Sequence, residues 1–268
     1  MTIPFKTSEH SPSRREWVTY YRRRFSSYAS GVWPGGHSNG RLAVVCEPRT
    51  GSELLCRTLS ESYIVRFDGE IFTTPALHPG LYCRGRANLA AVRHEGYACK
   101  LITRHLREGM HYLSWPSVLQ GLQRSGFCFV RLERRDKIAE AVSALRSMTV
   151  EMWHQRSGSP PPDRVDVRVD HLIALLSLND LNAAWWAWAS DGLPVHRVWY
   201  EDDLSSSERL ARAVAEIAGV AGFEPRPGTT IEPALVRTSV GGWRDVVTNA
   251  GEIEEAVGRS DFRHLLDP

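Results

Sequence analysis

The run Pro48-Arg49-Thr50-Gly51-Ser52 puts a cation, a glycine and two hydroxyls within five residues. It follows the apolar run Leu42-Ala43-Val44-Val45-Cys46 and precedes a stripe of Leu54, Leu55, Thr58 and Leu59. The first run reads as a buried parallel strand, the second as a helix to about Glu61 that Ser52 caps. Amides at a helix start have no intrahelical partner and carry the positive end of the dipole, so such a junction holds an anion. Gly51 lets backbone approach the ligand closely, Ser52 adds a hydroxyl, and Arg49 adds a fixed charge. A Walker A loop would need Lys and then Ser or Thr after its last glycine; no such Lys follows Gly51, which weighs against an ATPase or GTPase.

The stretch from Val45 to Leu55 resembles the P-R-S-G-S-T-L-L loop of bacterial sulfotransferases that use 3′-phosphoadenosine-5′-phosphosulfate (PAPS), most closely the Stf-zero group with its trehalose 2-sulfotransferases. In that family the loop binds the 5′-phosphosulfate, which implies a donor-binding role for Arg49, Thr50, Gly51, Ser52 and Glu53. Phe129 to Asp136, continuing to Ser143, is similar to the family's strand–R-P-D–helix segment, so Arg134 and Ser143 would hold the 3′-phosphate. Arg134 also falls at a strand's carboxyl end, where open α/β sheets bind ligands, and a guanidinium fork suits a phosphate. The family's Pro is Arg135 here, leaving open which arginine makes the contact. Arg237-Thr238-Ser239-Val240-Gly241-Gly242-Trp243-Arg244 resembles the glycine-rich loop that closes over the nucleotide, implying roles for Arg237, Trp243 and Arg244. Gly69-Glu70-Ile71-Phe72 resembles the family's G-E-x-F, whose glutamate is the proposed general base.

Sulfuryl transfer to an alcohol needs in-line alignment, a base for the acceptor proton, and neutralisation of charge on the leaving phosphate. The resemblance implies Arg49 with the Gly51 and Ser52 amides for neutralisation, Glu70 for the base, and no metal. His105, closing Lys100-Leu101-Ile102-Thr103-Arg104-His105, competes as base because it resembles the K-T-H element of eukaryotic cytosolic sulfotransferases. Lys100 faces the sulfuryl group or the acceptor, or is a solvated strand-end lysine. Trp153 and His154 lie where an acceptor loop could sit. Glu53 is out of place, because the family has Thr or Ser there. It either points outward from the first helical turn or repels the donor, and the second case would make the chain a non-catalytic nucleotide-binding relative.

These residues need a scaffold. Tyr97–Ile102, Phe127–Leu132 and Val195–Tyr200 read as further strands, and 116–123, 136–153, 169–189 and 205–220 as helices. That alternation predicts a three-layer α/β, P-loop-like fold with a mostly parallel central sheet flanked by helices. Residues 41–268 form the catalytic domain in this reading, and residues 1–40 an arm with one short helix. Trp185, Trp186 and Trp188 read as core, and Tyr200-Glu201-Asp202-Asp203 as a cap on the next helix.

Composition narrows the class. The chain has 268 residues, 42% hydrophobic and 24% charged, and its 33 Lys+Arg against 31 Asp+Glu give +2, too little for coating a polyanion. Five cysteines without a C-x-x-C pair argue against a disulfide scaffold or zinc ribbon. With no apolar span, the expectation is a cytoplasmic enzyme acting on a small hydroxylated acceptor, a carbohydrate or natural product, without nucleic acid or membrane partners. The family's dimers add a homodimer to what the resemblance implies.

Overall fold

The structure, a computed structural model, describes residues 14–32, 40–74, 76–110, 113–149, 164–233 and 242–266. At its centre is β1 (Arg41–Cys46), all six residues of which are buried. It is flanked by β3 (Gly96–Ile102) and β4 (Phe127–Glu133), with β2 (Val65–Glu70) and β5 (Val195–Trp199) at the edges. The order is β2-β3-β1-β4-β5 and every pairing is parallel. An α/β fold with a parallel sheet between helical layers is therefore what the chain forms.

Alternation along β1 divides the core in two. Leu42, Val44 and Cys46 face the cluster filled by α2 (Ser52–Ser62) and α9 (Ser207–Ala221). Ala43 and Val45 face the other side, covered by α3 (Pro79–Ala91), α4 (Thr103–Gly109), α5 (Trp115–Arg124) and the end of α7 (Val169–Ala189). A third cluster joins α6 (Lys137–Thr149), α7 and α10 (Ala250–Gly258). The chain thus leaves β1 toward one face and β3 toward the other. The two connections therefore part at the carboxyl ends of the central strands, the usual ligand position in such sheets.

β2 and α1 are among the elements that differ from the sequence reading. β2 escapes it because Arg66, Asp68 and Gly69 break the apolar pattern. It survives as an edge strand because Arg86 of α3 grips Asp68 with two hydrogen bonds of 2.6 and 2.7 Å, and Gly69 takes φ 64° where the register slips. The amino-terminal helix α1 (Arg14–Val32) runs 19 residues rather than one short stretch. It is docked on α3: Leu77 N donates to Tyr28 Oη at 3.0 Å, and Asn88 Nδ2 donates to the Ser30 carbonyl at 2.7 Å.

Closeness of the α1–α3 crossing depends on glycine. A Cβ on Gly85 would lie 1.6 Å from the Ser27 carbonyl oxygen, and one on Gly31 would lie 2.1 Å from that of Leu81. Gly85→Ala should therefore force the helices apart at a cost of about 1–3 kcal/mol. Thermal unfolding should show a Tm loss of several degrees, and an unchanged Tm would mean that the α1–α3 seam contributes nothing to stability.

Candidate functional site

The loop between β1 and α2 is wound tightly. Arg49 adopts φ 69° and Gly51 φ 89°. The left-handed region costs a non-glycine residue roughly 1–2 kcal/mol, so Arg49 is held in a strained position. The Thr50 hydroxyl is spent on the Glu47 carbonyl, 2.9 Å away, which closes the turn. Gly51, not Ser52, occupies the cap position of α2, and as glycine it offers no side-chain cap to the first amides of that helix. The sequence reading of Ser52 as cap is corrected: Ser52 is the first helical residue and is buried. The Tyr200 ring seals the other side of the turn, and a Cβ on Gly51 would sit 2.7 Å from Tyr200 Cδ2.

Three guanidiniums gather around this helix start. Arg49 Nε donates to Ser143 Oγ of α6 at 3.1 Å, joining two segments 94 residues apart. Arg134, just past β4, lies over the Tyr200 ring at 4.8 Å, with Glu201 Oε1 3.7 Å from its Nε. Burial, and then the nearby charges of Arg134 and Arg146, holds the Arg49 pKa below its ordinary value. Arg146 escaped the sequence reading. Its signal was its spacing, three residues past Ser143 and so on the same face of α6. Arg135 stands apart from this group: it is exposed, stacks on Trp199 at 4.4 Å and pairs with Asp202.

Lys100 anchors a second cluster. It is only 6% exposed, not solvated, and its Nζ lies 3.0 Å from Glu70 Oε1 and 3.3 Å from Glu53 Oε2. Burial opposes its charge, but the surrounding Cys46, Glu70 and Cys56 side chains outweigh burial and raise the pKa. Glu53 does not point outward as expected. Its second oxygen takes a 2.7 Å bond from Arg57 Nε, so two cations hold the carboxylate beside the loop. His105 on α4 is half-buried beside Glu70. Burial lowers its pKa further than that carboxylate raises it, which favours the neutral imidazole.

Behind the loop lies a buried polar network that the sequence did not reveal. Glu47 Oε2 accepts from Asn182 Nδ2 of α7 at 3.1 Å, and Asn182 Oδ1 accepts from Arg107 Nε at 2.9 Å. Arg131 of β4 donates to Thr103 Oγ1 at 2.7 Å and lies 3.8 Å from Glu47 Oε1. Glu140 of α6 is held by Lys137 at 3.2 Å and Asn179 at 3.1 Å.

Other expected residues stand apart. Trp243 is buried in the third core cluster, and Arg244 stacks on it at 4.6 Å while pairing with Glu254 at 2.5 Å. Trp153, His154 and Arg237 lie outside the described residues. The Tyr200–Asp203 run does not cap the next helix but forms its own turn, α8; Glu201 accepts from the Arg135 and Asp136 amides at 3.0 and 3.2 Å, and Ser206 caps α9. Of the three tryptophans read as core, Trp186 is buried, Trp185 is half-buried and Trp188 is 58% exposed. Among the described residues there is no group of three His, Cys, Asp or Glu side chains that could hold a metal ion, and no helix long and apolar enough to cross a membrane.

No family model and no curated protein matches the chain. Among solved structures, a mouse sulfotransferase, SULT7A1, complexed with PAP is similar over 94% of this chain and 95% of its own, at 11% identity and a TM-score of 0.43. That likeness is too distant to bear on function.

Removing Lys100 should expose the repulsion it suppresses. Lys100→Met leaves Glu53 and Glu70 facing each other and should cost about 1–3 kcal/mol at pH 8, less than for a fully buried pair because both carboxylates reach solvent. Protonating either carboxylate relieves the repulsion, so stability should recover as pH falls and be lost as it rises. Thermal unfolding at pH 5 and pH 8 measures this, and an equal deficit at both would contradict the ion-pair account.

Proposed function

We propose that this protein is a PAPS-dependent sulfotransferase that moves a sulfuryl group to a hydroxyl of a small acceptor, a carbohydrate or natural product. The observation that carries the reading is the meeting of Arg49, Arg134, Ser143 and Arg146 beside the glycine-capped start of α2. Phosphate ends of one donor would be shared between the loop amides and these guanidiniums, whose forks match phosphate geometry.

Charge developing on the leaving phosphate oxygen would be met by Arg49 and the Gly51 and Ser52 amides, dipoles already in place before reaction. Arg134 and Ser143 would take the 3′-phosphate, with Arg146 extending that grip. Glu70 would accept the acceptor proton, worth about 10²–10⁴-fold. His105 beside it, favoured as the neutral imidazole, is the other base the site offers. Lys100 would steady Glu70 and face the sulfuryl oxygens, while its pairing with Glu53 keeps that carboxylate off the donor. Arg237 and Arg244 would belong to the closing loop, and Trp153 and His154 to the acceptor side. The acceptor needs neither a nucleic acid nor a membrane surface, and a cytoplasmic homodimer is the setting we infer.

One observation favours a second reading. Glu53 remains a carboxylate beside the loop where the resembling family carries Thr or Ser, which suits a nucleotide-binding relative that has lost turnover. A Tm rise with 3′,5′-ADP but none with ATP plus Mg²⁺ supports either reading, and no rise with either ligand contradicts both. Transfer of radiolabelled sulfate from PAPS to a panel of sugars then separates them.

Glu70→Gln should bind 3′,5′-ADP as wild type does and lose turnover by at least a hundredfold, about the share a general base supplies. Arg134→Ala should weaken 3′,5′-ADP binding by roughly 10–100-fold, the worth of a charge-assisted hydrogen bond. Calorimetry reads both, and full turnover in Glu70→Gln would move the base to His105.

A further inference from the structure

The buried carboxyl of Glu47 is used by none of the chemistry above, yet it sits one residue before the phosphate loop. It is 4% exposed, and its own carbonyl takes the Thr50 hydroxyl that closes the turn. Its side chain reaches out of the loop to α7, where Asn182, itself 1% exposed, donates to it. Every element around it contributes a polar or charged group. Arg131 comes from β4, Thr103 from α4, Glu140 from α6 and Asn182 from α7, with Arg107 of α4 behind Asn182. Lys137, Arg134 and Arg131 in turn face Glu140.

We propose that Glu47 is a positioning residue whose charge state sets how tightly the Pro48–Ser52 loop holds a phosphate-bearing ligand. The inference rests on the phosphate-donor reading of that loop and adds a control to it. Two carboxyls, Glu47 and Glu140, share this interior with the guanidinium of Arg131. When Glu47 is neutral, more of the Arg131 charge is felt at the loop and an anion is favoured. When Glu47 ionises, it offsets that charge with a negative one 3.8 Å from Arg131. Burial first, and then Glu140, raises the Glu47 pKa to about 7, against the opposing pull of Arg131, Thr103 and Asn182, so both forms are populated near neutrality.

The sign follows. A carboxyl with a raised folded-state pKa stabilises the protein below its unfolded value near 4.5, and that contribution is lost as pH rises through about 7. Anion binding at the loop should follow the same direction.

The test is calorimetric binding of 3′,5′-ADP and of inorganic pyrophosphate from pH 6 to 8, in wild type, Glu47→Gln and Asn182→Ala. Comparing wild type with Glu47→Gln at each pH cancels the ligand's own titration. Relative to that variant, wild-type affinity should fall by about three- to tenfold across the range, the effect of one charge several ångströms away in partly screened surroundings. Asn182→Ala removes a hydrogen bond that favours the carboxylate and should move the transition to higher pH; it serves as the second readout should Glu47→Gln fold poorly. Parallel profiles in all three proteins would overturn the inference. Divergent profiles with pyrophosphate but no binding of 3′,5′-ADP would support the control of the loop and overturn the donor reading. No binding of either ligand to any of the three would overturn both.

Discussion

Arg49, Arg134 and Arg146 converge beside a helix start whose cap residue is a glycine, and the rest of the architecture is arranged around holding that much positive charge in a half-dry place. Like charges repel, and burial strengthens the repulsion because water no longer screens it. The fold offsets this locally. Ser143 accepts from Arg49, the Tyr200 ring lies under Arg134, and Glu201 stands at 3.7 Å. The turn is also strained, with Arg49 at φ 69°, which is tolerated because strand β1 and helix α2 are locked in the core on either side.

Carboxylates partition the site. Glu53 and Glu70 would be hostile to an anion if exposed to it, but Lys100 draws both toward the β2–β3 side of the sheet. Arg49, Arg134 and Ser143 form the opposite side, at β1 and β4. One side is thus cationic, and the other holds carboxylates paired with a buried ammonium. The parallel register of β3 and β4 against β1 sets the spacing between them: Val44 lies beside Lys100, and Val45 beside Arg131.

Much of this was legible in the sequence where local pattern and tertiary role agree. Four strands follow from short β-branched or aromatic runs, because buried parallel strands show unbroken apolar patterns, and α7 was read with the bounds it adopts. The strand–turn–helix unit built from β1 and α2 was legible because it lies within one continuous segment. β2 was not, since an edge strand stabilised by the Asp68–Arg86 pair does not need an apolar face. Arg146 and the Glu47–Asn182 contact were hidden for a different reason. Their meaning comes from partners on other elements, 135 residues apart in the case of Glu47 and Asn182. The position of Glu53 likewise depended on Lys100, which no local rule places beside it.

A crystal structure of the protein with 3′,5′-ADP tests the central claim most directly. The account places one phosphate against the Gly51 and Ser52 amides and the Arg49 guanidinium, with the other phosphate on Arg134 and Ser143. A nucleotide bound elsewhere, with Arg49 still donating to Ser143 and no phosphate at the start of α2, would contradict it.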